Sequence, residues 1–111
     1  MAKSLARPTQ VKVGWRTYKI LAWAHDEAHS AGYVGQTRHT IGDIRVDFTM
    51  AAQTLGATLL HEILHAISCV WTIEDSDKEE RRIQLLENGL ATVWRDNPEV
   101  IAWIGQQLSE G

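Results

Sequence analysis

Thr58-Leu59-Leu60-His61-Glu62-Ile63-Leu64-His65-Ala66-Ile67 is the stretch on which the reading of this chain turns. His61, Glu62 and His65 stand in the pattern H-E-x-x-H. Residues four apart share one face of an α-helix, so His61 and His65 aim both imidazoles at one point, where a single metal ion fits. Glu62 lies about 100° around the helix from His61. Its carboxylate falls beside such an ion, where it can take a proton from water activated there. Leu60, Ile63, Leu64, Ile67 and Trp71 recur at helical spacing, which places the histidines on an amphipathic helix expected over about residues 51–71. Two histidines beside an apolar stripe are costly unless partnered, which favours a metal site over a plain core helix.

Upstream, Val11-Lys12-Val13 and Thr17-Tyr18-Lys19-Ile20 flank Gly14 as two short strands around a turn. Leu21 to Ser30 is ambiguous: Leu21-Ala22-Trp23-Ala24 either finishes the second strand or begins a short helix. Gly32-Tyr33-Val34-Gly35-Gln36 and Thr40-Ile41-Gly42 carry turn signals. Ile44-Arg45-Val46-Asp47 alternates apolar and polar residues as a strand does, and leads directly into the motif helix. It is a candidate edge for holding an extended peptide by backbone hydrogen bonds.

Downstream, Thr72 to Asp77 is a polar connection, and Ser76-Asp77-Lys78-Glu79 fits a capping box that opens a second helix. The apolar stripe of that helix is Ile83, Leu86, Leu90, Val93 and Trp94. Asn97 is placed to cap a third helix, with Pro98 in its first position and Val100, Ile101, Trp103, Ile104 and Leu108 on its buried side. The fold class expected is α+β: a small sheet packed on the H-E-x-x-H helix, then two further helices. Residues 10–109 form one domain in this reading, after a loose leader at 1–9.

Composition narrows the functions open to the chain. A net charge of −3, with no basic cluster beyond Arg81-Arg82, argues against a nucleic-acid-binding face. No apolar run approaches the length of a membrane span. The single cysteine, Cys69, has no internal partner, and Met1 to Pro8 lack a signal-peptide core, so a reducing, cytoplasmic location is expected. Five tryptophans in 111 residues are expected to supply much of the core area.

A catalytic zinc usually has three protein ligands and a water, and the motif supplies two. The compact extension H-E-x-x-H-x-x-G-x-x-H is absent, because Ser68 and Thr72 stand where its glycine and last histidine would be. The second helix offers Glu79, Glu80 and Glu87. Glu80 is the first choice, since Glu79 can close the capping box on Ser76 and Glu87 lies two turns further on; all three are also at home as a solvated acidic face. His25-Asp26-Glu27-Ala28-His29 again spaces two histidines four apart, but a polar surface loop fits it better than a second metal site. His25, His29, His39, Arg38 and Tyr33 are candidates for binding substrate or stabilising an oxyanion. Cys69 reads as a small buried thiol.

The succession of short strands, Thr58 to Ile67, the acidic helix start at Glu79-Glu80, Leu86-Glu87-Asn88-Gly89-Leu90 and Arg95-Asp96-Asn97-Pro98-Glu99 resembles the small zincin-like metallopeptidases of bacteriophages and prophages. These are distant relatives of the ImmA/IrrE-like peptidases. The resemblance covers roughly residues 10–105, and only its H-E-x-x-H is specific. It implies a minimal zincin fold with His61 and His65 on zinc (Zn2+), Glu62 as general base, and a glutamate from the next helix completing the site. It departs from the ImmA/IrrE pattern in the short gap between His65 and the acidic helix. The function expected is a zinc-dependent peptidase in a bacterial host cell, acting on a peptide or protein substrate. The alternative is a zinc-bound phage protein without hydrolytic activity, in which the metal staples a small domain.

Overall fold

Val11, Val13, Tyr18 and Ile20 alternate with exposed neighbours, and all four are buried in the computed structural model, which describes residues 4–110. They lie on β1 (Gln10–Val13) and β2 (Arg16–Ala22), which pair antiparallel. The chain then forms α1 (His25–Ala31), β3 (Gly35–Arg38) and β4 (Asp43–Val46). The sheet order is β1-β2-β4-β3, with β4 parallel to β2 and antiparallel to β3. Three helices follow: α2 (Ala52–Val70), α3 (Glu79–Asp96) and α4 (Pro98–Ser109). The architecture is α+β, with one face of the four-stranded sheet packed on the helix that carries H-E-x-x-H.

The core is a single cluster. Ile44 and Val46 of β4 join the four residues of β1 and β2, and α2 contributes Leu55, Leu59, Ile63, Ala66 and Ile67. Val93 of α3 and Val100, Trp103 and Ile104 of α4 close it. The buried face of α2 is rotated from the stripe expected, since Leu64 is exposed and Leu55, Leu59 and Ala66 face inward. Of the five tryptophans, Trp23 and Trp103 alone are buried, while Trp15 and Trp94 are 75% and 61% exposed. Small and branched aliphatics fill the space that aromatic rings were expected to occupy.

Several local expectations are overturned by tertiary contacts. In the ambiguous stretch 21–30, β2 runs to Ala22 and α1 begins at His25, so the surface loop expected at 25–29 is a short helix, and part of the expected turn at 32–36 belongs to strand β3. Because β3 pairs with β4, the strand at 44–47 is interior, and the free edge on that side is β3. The expected capping box does not form. α3 begins at Glu79 with no side-chain cap, and the Asp77 carboxylate instead accepts from the Glu74 N–H at 2.9 Å. The leader is tied down from Leu5 onward, while residues 1–3 lie outside the described residues. The Leu5 N–H donates to Gln106 Oε1 at 2.9 Å, Arg7 sits 4.1 Å over the Phe48 ring, and the Ile20 N–H donates to the Thr9 carbonyl at 2.9 Å. No helix among the described residues is long and apolar enough to cross a membrane.

Asn97 has a different task from the one its position suggests. It precedes Pro98 as expected, yet its side chain makes no capping bond to α4. It acts on the free edge of β1 instead. Its Oδ1 accepts from the Lys12 N–H at 2.8 Å, and its Nδ2 donates to the Lys12 carbonyl at 2.7 Å and to the Val93 carbonyl at 2.9 Å. The amide thus stands in for a neighbouring strand and satisfies backbone groups that an edge leaves open.

Asn97→Ala removes these bonds and strands buried donors and acceptors, at a cost of about 2–3 kcal/mol. A melting temperature lower by roughly 8–12 °C is expected. A thermal shift under about 2 °C would mean that solvent replaces the amide without penalty.

Candidate functional site

α2 is an uninterrupted 19-residue helix, and Leu59, Glu62, Ile63 and Ala66 point into the protein. His61 and His65 fall on the adjoining exposed face. Their Nε2 atoms are 3.1 Å apart, with ring centres separated by 4.7 Å and planes at 74°. Two nitrogen ligands at 2.0–2.1 Å from a tetrahedral zinc stand about 3.3 Å apart, so the pair fits one ion with little adjustment. The same spacing lets one ring donate a hydrogen bond to the other.

Glu62 is 6% exposed, and β3 holds its side chain. The Thr37 hydroxyl lies 2.8 Å from Glu62 Oε1 and 2.9 Å from the Glu62 backbone carbonyl. One hydroxyl proton is shared between two oxygens of the same residue, and this fixes the carboxylate relative to its own helix. Gly35 makes the approach possible. A Cβ on it would stand 2.7 Å from Thr58 Cγ2, 3.2 Å from Glu62 Cγ and 3.3 Å from Glu62 Oε2. Any side chain larger than hydrogen there would displace the strand or the carboxylate.

The three motif residues open onto a cleft between α2 and β3. A hollow of about 290 Å³ contains His61, Glu62, His65 and Cys69 on one wall and Gln36 and Thr37 on the other. A second hollow of about 560 Å³ adjoins it along the first half of α2, past Thr54, Ala57 and Thr58. The two share Tyr33, Gly35, His61 and Glu62. Cys69 is exposed on this wall, not buried as expected, because it lies one turn beyond His65 on the same open face.

Glu80 is not brought to the histidine pair. It is exposed, as are Glu79 and Glu87. Among the described residues, no three His, Cys, Asp or Glu side chains gather to hold a metal. The reason lies in how α3 meets α2. A Cβ on Gly89 would stand 2.4 Å from Ile67 Cγ2, so the helices approach at the end of α2 and the middle of α3. Glu80 sits nine residues before that contact, about 14 Å back along α3. Ile83, expected on the buried stripe of α3, is 51% exposed.

Of the residues considered for substrate binding, Tyr33 alone borders the cleft, stacked on Trp23 with ring centres 6.2 Å apart. Arg38 is committed to Asp43 by two bonds of 2.8 and 2.6 Å, and His39 Nδ1 is bonded to the Tyr18 hydroxyl at 2.5 Å. His25 Nδ1 is 2.6 Å from the buried Asp47 carboxylate. Hydrogen bonds from Thr49 and from His25 hold the Asp47 carboxyl below the usual carboxylate range. Thr37 and Gly35 were not singled out from the sequence. Their signal was a strand hidden between turn-forming residues, and its pairing with β4 is non-local.

Gly35→Ala is expected to destabilise the protein by about 1–3 kcal/mol and to displace Glu62. Denaturant unfolding measures the first effect and a crystal structure the second. A variant of unchanged stability with Glu62 still bonded to Thr37 would show that the strand yields freely.

Comparison with known proteins returns no match, whether to a family model, a curated protein or a solved structure.

Proposed function

We propose that the protein is a zinc-dependent peptidase, a small zincin-like enzyme with His61 and His65 as metal ligands. The observation that carries this reading is the division of labour on α2. Two imidazoles converge at 3.1 Å on the open face, and the carboxylate between them is buried and held by Thr37. Zinc held by the pair would supply Lewis acidity to a peptide carbonyl and to a water molecule. Glu62 accepts the proton of the attacking water and returns it to the leaving amine. Thr37 keeps that carboxylate from swinging out of line. The free edge of β3, not the strand at 44–47, is the edge for an extended peptide, because Gly35, Gln36 and Thr37 border the cleft.

Glu80 is the proposed third ligand. Trp71 and Ile73 of the connection before α3 pack against the core, but residues 78–84 are exposed, so the first turn of α3 itself has no buried side chain to oppose a move toward the histidines. The alternative of a zinc staple without activity is less favoured by the geometry. A structural zinc is usually enclosed by four protein ligands, whereas His61 and His65 are exposed beside a cleft.

Three measurements test the proposal. Protein purified without chelator is expected to carry one zinc per chain, and His61→Ala and His65→Ala each to lose it; undiminished zinc in both variants would remove the metal site. Glu62→Gln is expected to keep zinc and fold while cleaving a peptide library at least about a hundredfold more slowly than the native protein. Cleavage at the native rate would falsify the role of Glu62, and absence of cleavage by the zinc-loaded native protein favours the staple. Glu80→Gln is expected to weaken zinc binding about tenfold or more, and the same loss in Glu79→Gln or Glu87→Gln alone would move the third ligand there.

A further inference from the structure

α1 carries a second pair of histidines, and the fold equips one of them in a way that its exposure alone does not explain. His25 and His29 are four residues apart, with ring centres 5.7 Å apart and planes at 20°. Asp47, 2% exposed, receives His25 Nδ1 at 2.6 Å. Asp47 is fixed in turn by Thr49, whose hydroxyl and N–H donate to its other oxygen at 2.6 and 3.0 Å. A carboxylate accepts only, so Nδ1 of His25 carries the hydrogen. Nε2, the other ring nitrogen, lies on a side chain that is 51% exposed.

An imidazole whose far nitrogen is held by a buried carboxylate is the usual support for a metal-ligating histidine. It selects the tautomer, orients the ring and raises the basicity of the free nitrogen. The second ring lies one helical turn away on the same face. Two imidazoles bound through nitrogen to one tetrahedral ion at 2.0–2.1 Å have their centres about 5.2 Å apart, close to the 5.7 Å here, and a small approach and reorientation of the exposed His29 ring completes the pair.

We propose that His25 and His29 form a second metal site, for a divalent transition ion that favours imidazole (Ni2+, Cu2+ or Zn2+), with Asp47 as the group that positions His25. The all-nitrogen donor pair disfavours Ca2+ and Mg2+, which take oxygen. Two protein ligands leave the remaining positions to solvent, so the site exchanges its ion. Neither histidine lines the cleft at His61, and the site stands whether or not the protein is a peptidase.

The test uses the full chain carrying His61→Ala and His65→Ala, which removes the other pair, titrated with Ni2+ alone. Equilibrium dialysis counts the bound ion, and proton NMR follows the imidazole signals. One equivalent is expected, with the His25 and His29 ring protons broadened and those of His39 left sharp. Adding His25→Ala or His29→Ala should weaken binding about tenfold or more, and Asp47→Asn about 10- to 100-fold. Circular dichroism identifies any variant that fails to fold, and the exposed His29 provides a readout that does not disturb Asp47. Absence of bound Ni2+, or binding that survives the His25→Ala/His29→Ala pair, would overturn the site. Undiminished affinity in a folded Asp47→Asn variant would overturn the role of Asp47.

Discussion

Thr37 places one hydroxyl between two oxygens of Glu62, 2.8 Å from the carboxylate and 2.9 Å from the backbone carbonyl. That contact joins the edge of the sheet to the middle of α2, and it is open to the chain only because Gly35 has no Cβ. A buried carboxylate without a donor would be expensive, and in the proposed peptidase a mobile one would be a poor base. Thr37 meets both requirements with one group. The cleft is a consequence of the same junction. β3 leans on α2 at Thr58 and Glu62, and the space left beside the contact is where His61 and His65 open.

The helical repeat separates two kinds of chemistry on α2. An angle of about 100° between neighbours puts His61 on the surface and Glu62 in the core wall. In the proposed peptidase the histidines would need an approach route for an ion, while the glutamate would need a fixed position and a low exposure to water. A helix lying flat on a sheet offers both within a single turn. The buried face of α2, running through Leu55, Leu59, Ile63 and Ile67, sets the rotation of the helix and hence which side each motif residue faces.

Side-chain amides and carboxylates complete edges that backbone alone leaves open. Asn97 takes the place of a strand against Lys12, and Asp43 holds Arg38 across the β3–β4 hairpin. Asp47 fastens α1 to the segment that leads into α2 through His25. Each is a short polar side chain, buried or nearly so, with its hydrogen-bonding capacity turned to backbone or to one or two partner side chains. In a chain of 111 residues, where the core is one small cluster, such bonds carry a large share of the specification of the fold.

What was legible in the sequence was local and periodic. The pairing of His61 with His65, the α+β order, the strand at Ile44 to Val46 and the helices over α2 and α4 follow from repeats of two or of about 3.6 residues, which depend on neighbours in the chain. Non-local contacts decided the rest. β3 is a strand because β4 pairs with it, although Gly35 and its neighbours read as turn. Asn97 serves β1 and not α4 because folding brings Lys12, eighty-five residues away, within 2.8 Å. The exposure of Glu80 depends on where Gly89 lets α3 meet Ile67, a matter of steric fit between two helices that no single helix encodes. Periodicity fixes which face a residue occupies, and only the packing of elements fixes what that face meets.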